Sequence, residues 1–189
     1  MTLLETERLL FRPHEPADRD AYCAMEQDPE VRRYVGGAPR TREAAEAKFQ
    51  GALQPLSHRL RLWATILKAN GAYIGRCGVY PHVEVDSIIP GEGVLAFYLA
   101  RPYWGQGLAT EAGAAFVRFG FNELGLHKIV ATVQEGNRAS IRVLEKLGFH
   151  LVRVEPGFRT FHHFALPRPD LSVTPNHASL LSPPSGQEQ

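Results

Sequence analysis

A chain of 189 residues with 44% apolar and 22% charged side chains has the length and composition of one globular domain with a real core. A formal net charge of +1 gives no general attraction to nucleic acid or acidic membranes, and no apolar run approaches the length of a membrane span. Cys23 and Cys77 are too few for a disulfide framework or a zinc site. They read as reduced packing residues of a cytoplasmic protein, and no metal is expected. Glu5, Glu7 and Arg8 interrupt any signal-peptide core.

In chain order, "LLETERLLFRP" alternates loosely up to Pro13 and predicts a first strand. A short helix is expected from Asp18 to Met25. "DPEVRRYV" predicts a second, with Asp28 as cap and Pro29 in the first helical position. Gly36, Gly37 and Pro39 end it, and Thr41 opens a third, "TREAAEAKFQGAL". "RLWATILKANGAYIGRCGVY" reads as two strands joined at "ANGA", where Asn70-Gly71 suits a tight hairpin. "PHVEVDSIIPGEG", with two prolines and two glycines, reads as a long loop excursion. "VLAFYL" is the next strand. Leu108, Ala112, Ala115 and Phe119 then recur at helical spacing, so a helix runs to about Leu124 and stops at Gly125. "KIVATV" reads as a buried strand. "NRASIRVLEKLGF" is a helix capped by Asn137, with Lys146 in its last turn and Gly148 after it. "HLVRVE" and "TFHHFAL" complete the strands. The folded domain is expected over residues 1–166, with a flexible tail over 167–189 rich in Pro, Ser, Asn and Gln.

"YWGQGLATEA" carries the chemical signal. Its glycines sit where a strand must become a helix, so bare main chain is needed there. The first-turn amides of a helix have no intrahelical partner and carry about half a positive charge. Gly105 and Gly107 let them approach a phosphate. A turn that needs glycine for its dihedrals alone is the other reading. Two phosphate motifs fail on residue identity. The P-loop requires Lys-Ser or Lys-Thr where Leu108-Ala109 stand, and the dinucleotide fingerprint requires Gly or Ala where Thr110 stands.

The stretch resembles the coenzyme A loop of the GNAT superfamily of N-acetyltransferases, Gln/Arg-x-x-Gly-x-Gly/Ala, with Gly107 and Ala109 in register and Trp104 in place of Gln or Arg. That replacement is typical of the subgroup resembling ribosomal-protein N-terminal acetyltransferases, the Rim type. "TERLLFRP", "YIGRCGVY" and "NRASIRVLEKLGF" match the same subgroup in order, over roughly Leu3 to Leu166. The resemblance implies an α/β GNAT fold. Its central sheet is mixed but mostly antiparallel, flanked by helices, and splayed between the fourth and fifth strands, "VLAFYL" and "KIVATV". It implies acetyl-CoA as donor, with Leu99, Trp104, Gly105, Gln106, Gly107, Leu108, Ala109 and Thr110 on its diphosphate and upper arm. Asn137 is implied on the pantetheine chain and Arg138 on a coenzyme phosphate; an N-cap and a surface arginine are their plainer roles.

The implied reaction is direct attack of a free amine on the thioester. The family's usual tyrosine position is Leu144 here, and the subgroup implies Ser140 as the acid or the group that bonds the sulfur. The subgroup's glutamate slot holds Val94, which leaves Glu92, two residues away, as the nearest candidate base. His82, Glu84 and Asp86 are weaker candidates, and His14, His162 and His163 weaker still. Freeing a lysine amine at pH 7 costs about 4.6 kcal/mol, against about 1–1.4 for an α-amine, so a site without a strong base suits a protein N-terminus or a small amine of lowered pKa. The expected partner is an amine-bearing acceptor, with no nucleic acid or membrane, on a monomer or homodimer. A non-catalytic acyl-CoA sensor and a nucleotide or nicotinamide enzyme remain as alternatives.

Overall fold

The computed structural model describes residues 2–54, 59–85 and 87–169. Its strands are β1 (Leu4–Glu5), β2 (Leu9–Arg12), β3 (Arg61–Leu67), β4 (Ala72–Glu84), β5 (Ser87–Leu99), β6 (Lys128–Gln134), β7 (His150–Glu155) and β8 (Phe161–Pro167). They form one sheet in the order β1-β2-β3-β4-β5-β6-β8-β7. The helices are α1 (Arg19–Gln27), α2 (Pro29–Arg32), α3 (Arg42–Leu53), α4 (Leu108–Asn122) and α5 (Arg138–Lys146). Local chemistry sets their ends. The Asp28 carboxylate accepts from the N–H groups of Glu30 and Val31, and the Thr41 hydroxyl accepts from Ala44 N–H. Asp86 and residues 170–189 of the expected tail lie outside the described residues.

Two expected elements differ. "LLETERLLFRP" is not one strand but a small hairpin, pairing Leu4 with Phe11 and Glu5 with Leu10. The Thr6 hydroxyl accepts from Leu9 N–H at 3.0 Å and holds the turn. "PHVEVDSIIPGEG" is not a loop excursion. β4 and β5 continue through it and pair Val83 with Ile88 and Glu84 with Ser87, after a register shift between Pro81 and Val83.

Every strand junction is antiparallel except β5–β6, which is parallel and pairs Glu92–Val94 with Lys128–Val130. Beyond Val94 and Val130 the two strands diverge, although β5 runs to Leu99 and β6 to Gln134. This is the expected splay. α4 covers one face of the sheet, where Ala112, Ala115, Phe116 and Phe119 pack on Leu9, Phe11, Ile74, Cys77, Leu95 and Ile129. Burying a side chain such as Phe116 contributes about 1.5–3 kcal/mol. Because Leu95, Leu99, Ile129, Ala131 and Val133 enter this core, Val94, Ala96 and Tyr98 on β5 and Val130, Thr132 and Gln134 on β6 face the other side. There α1 and α3 build a second cluster from Tyr22, Cys23, Ala45 and Phe49. Both cysteines are buried and unpaired.

His14 is 6% exposed and ringed by Tyr22, Phe49 and Tyr73. Burial, then the Arg76 charge, pulls its pKa down from 6.5 to about 4, so it folds as the neutral imidazole. The unfolded chain takes up this proton first. Stability is therefore whole above about pH 6.5 and falls as the pH drops towards 4, by about 3 kcal/mol from this group. Urea unfolding at pH 7 and pH 4 checks it: His14→Phe is expected to lose about 3 kcal/mol less than wild type over that range.

Candidate active site at the head of α4

α4 begins without a side-chain cap. Gly107 occupies the N-cap position at φ +78°, and Gly105 precedes it at φ +73°, both in the left-handed region that glycine adopts at little cost. The first bond into the helix runs from Glu111 N–H to the Gly107 carbonyl, 3.0 Å. Among the described residues, the N–H groups of Gly105, Gln106, Gly107, Leu108, Ala109 and Thr110 donate to no protein acceptor. Six free donors on a dipole's positive end make a candidate anion site. Two or three charge-assisted bonds of about 1.5–3 kcal/mol each are enough to bind an anion of the size of a diphosphate.

A clamp that sequence reasoning did not single out holds this loop. Glu111, in the first turn of α4, accepts from the Thr6 hydroxyl at 2.6 Å, from Arg8 N–H at 2.9 Å and from Arg8 Nε at 2.6 Å. Arg8 Nη1 also donates to the Gln106 carbonyl at 3.0 Å. Burial pushes the Glu111 carboxyl up, but the Thr6 and Arg8 donors outweigh it and keep the pKa below the usual range. The β1–β2 turn is thus fastened to the glycine loop. On the other flank Trp104 Nε1 donates to the Leu99 carbonyl at 2.7 Å, tying the loop to the end of β5.

The loop opens on a cleft of about 590 Å³. Of the residues singled out in the sequence, Leu99, Trp104, Gly105, Gly107, Leu108, Ala109, Thr110, Asn137, Arg138 and Ser140 line it. Gln106 does not; its amide turns back to the Pro102 carbonyl at 2.8 Å. Arg142 and Lys146 extend the Arg138 position along the same wall. Their i, i+4, i+8 spacing is legible in the sequence and lays a cationic stripe opposite the loop. Asn137 caps α5 by accepting from Ser140 N–H at 3.2 Å, and the Ser140 hydroxyl is engaged by no described residue.

A second cavity of about 240 Å³ fills the gap between the diverging strands. Val94, Ala96 and Tyr98 line it from β5 and Thr132 and Gln134 from β6, with Asn137, Ser140 and Leu144 from the α5 side. Ser140 and Asn137 border both cavities. Tyr34, Tyr80 and Tyr98 bring phenols to the gap.

Glu92 is not brought to either cavity. It lies at the closed end of the β5–β6 pair, 8% exposed, with its carboxylate 2.5 Å from Lys128 Nζ and 2.8 Å from His82 Nδ1. Burial pushes its pKa up, but the bonds from Lys128 and His82 outweigh this and hold it below the usual range. A carboxylate so paired is a weak base and a structural anchor. His82, the alternative base, is its partner.

The sequence matches the Acetyltransferase (GNAT) domain family over residues 8–150. It is 32% identical over 151 residues to the uncharacterized protein YkkB of Bacillus subtilis, covering 79% of this chain and 86% of the relative. It is equally 32% identical over 151 residues to the uncharacterized N-acetyltransferase p20 of Bacillus licheniformis, covering 79% and 83%. Among solved structures, an acetyltransferase (GNAT family) from Bacillus anthracis superposes with a TM-score of 0.74 at 24% identity, covering 88% of this chain and 98% of that one.

Proposed function

Because the chain belongs to the GNAT acetyltransferase family, whose members here support an acetyl-CoA-dependent acetyltransferase, we propose that it acetylates a primary amine, a protein N-terminus or a small molecule, by direct attack in a ternary complex. One observation carries the reading. The amides from Gly105 to Thr110, unpartnered among the described residues, head a cleft that shares Asn137 and Ser140 with the gap between β5 and β6. The amides suit the coenzyme's diphosphate, and Arg138, Arg142 and Lys146 suit its remaining phosphate charge. The strand gap suits the pantetheine arm, with unpaired edges of β5 and β6 to bond it. Ser140, whose hydroxyl no other described residue engages, polarises the leaving sulfur. No phenol stands at position 144, where Leu144 is fully buried. The order of "TERLLFRP", "YIGRCGVY", the glycine loop and "NRASIRVLEKLGF" supports the Rim-type subgroup and, with it, an α-amine acceptor.

Thiol release from acetyl-CoA across peptides, amino acids, polyamines and aminoglycosides tests this. A peptide with a free N-terminus is expected to outpace the same peptide blocked at its α-amine but carrying lysine. Release no faster than acceptor-free hydrolysis across the panel, together with saturable coenzyme binding, would instead support a non-catalytic acyl-CoA sensor.

A further inference from the structure

The cavity between the splayed strands has the Thr132 hydroxyl in its wall, and side chains of two further strands stand behind that residue outside the cavity. Thr132 on β6 lines the cavity and stands directly opposite His163 on β8. The Thr132 hydroxyl lies 3.3 Å from His163 Nδ1. The other ring nitrogen, Nε2, lies 3.1 Å from the Glu155 carboxylate on β7, which is itself paired with Arg153 at 2.9 Å. Arg153 Nη2 stands 3.3 Å from the same Nε2. These side chains share one face because Thr132, His163 and Arg153 are cross-strand partners and Glu155 follows Arg153 by two. The arrangement is hydroxyl, imidazole, carboxylate, with the hydroxyl in the cavity and the carboxylate at the half-exposed rim.

This geometry has a direction. Arg153 Nη2 is committed to Glu155 at 2.9 Å and stands farther from Nε2, at 3.3 Å, than the Glu155 acceptor at 3.1 Å, so the neutral ring places its proton on Nε2 and leaves Nδ1 as an acceptor. Thr132 then donates its hydroxyl proton to Nδ1 and turns its lone pairs into the cavity, where an ammonium finds an acceptor. We propose that Thr132, His163 and Glu155 form the path by which the acceptor amine loses its proton, with Thr132 in contact with the amine and His163 and Glu155 acting through it. This rests on the amine-acceptor reading above.

The step balances. One N–H proton of the ammonium passes to Thr132 Oγ1 as the hydroxyl's own proton moves to His163 Nδ1. The imidazolium is held by Glu155 and, once the product has left, releases the Nδ1 proton by way of Thr132 to water entering the emptied cavity, which restores the starting tautomer. The freed lone pair forms the C–N bond to the thioester carbon. As the C–S bond breaks, the sulfur leaves with the electron pair and takes the second amine proton by way of Ser140. The products are the amide, coenzyme A thiol and one proton in solution. No second base is required, and Glu92 stays in its ion pairs.

The charged groups facing His163 from the neighbouring strands are Glu155 and Arg153 of β7; Lys128, on the same face of β6, is engaged by Glu92. The test uses the full chain with the panel amine that wild type turns over fastest. At pH 7, His163→Gln and Thr132→Val are each expected to lower kcat by about 10²-fold or more, with the Kd for acetyl-CoA unchanged in His163→Gln and with Thr132→Ser restoring most of the rate that Thr132→Val loses. The deficit should close as the pH rises past the acceptor's own pKa, because a free amine needs no base. A deficit constant with pH, or full activity in His163→Gln, overturns the relay while leaving the acetyltransferase reading intact. Wild type inactive on every amine overturns that reading instead. In that case ring nitrogen NMR of the wild-type chain decides the relay: Nε2–H with a bare Nδ1 supports it, and Nδ1–H refutes it.

Discussion

Gly107→Val is expected to weaken acetyl-CoA binding by about 10²-fold or more while the chain still folds. A β-branched residue at φ +78° carries about 1–3 kcal/mol of strain, and relieving it rotates the peptide units on either side. Those units carry the free N–H groups. Losing two charge-assisted bonds at about 1.5 kcal/mol each already amounts to about 10²-fold. Space is not the cause, since a Cβ at Gly107 meets only the tip of Arg8, at 3.5 Å. Gly107→Asn should therefore weaken binding least and Gly107→Ala to an intermediate degree, because Asn tolerates the left-handed region best. Calorimetric titration with coenzyme A checks the series. Equal affinity in Gly107→Val would mean that these amides hold nothing.

The largest loss of stability is expected at Glu26. This carboxylate is 1% exposed and meets four cations. Arg40 stands at 2.9 Å, Arg32 and Lys48 at 3.2 Å, and Arg76 bonds the same oxygen as Lys48. Burial pushes its pKa up, but Arg76 and then Lys48 overcome this and hold it at about 2. Replacing Glu26 with Gln or Ala leaves buried cations uncompensated, which costs about 3–5 kcal/mol. For a chain of this size that is a fall in melting temperature of about 6–20 °C. The loss has a functional echo. Arg40 N–H bonds the Glu26 carbonyl, Arg32 reaches the Ala38 carbonyl, and Arg76 stacks on Tyr98, so the cluster seats the α2–α3 connection and one wall of the strand gap. Calorimetric melting of Glu26→Gln checks it, and an unchanged melting temperature would show that the cations find water instead.

What was legible in the chain was what is decided locally. Helix starts at Asp28, Thr41 and Asn137 were readable because each cap bonds an amide two or three residues away. The glycine loop was readable because positive φ at Gly105 and Gly107 is a local requirement. The splay came from the family resemblance and not from periodicity. Long-range pairings stayed hidden. Thr6 and Glu111 meet across 105 residues, and nothing near either announces the other. Glu92 looked like a base beside the Val94 slot, but its partners Lys128 and His82 come from neighbouring strands. The β4–β5 extension hid behind Pro81, Pro90 and the glycines, because its pairing closes around a bulge. Thr132 and His163 carry no motif. A cross-strand register makes them neighbours.

The proposed coenzyme site consists of free main-chain donors from Gly105 to Thr110. Amide NMR of the nitrogen-15-labelled chain, titrated with coenzyme A, tests it most directly. The N–H signals of Gly105 to Thr110 should move together and saturably, followed by those of Val94 to Leu99 and Ala131 to Gln134 where the strands part. Coenzyme that binds while the Gly105–Thr110 signals stay in place would contradict it.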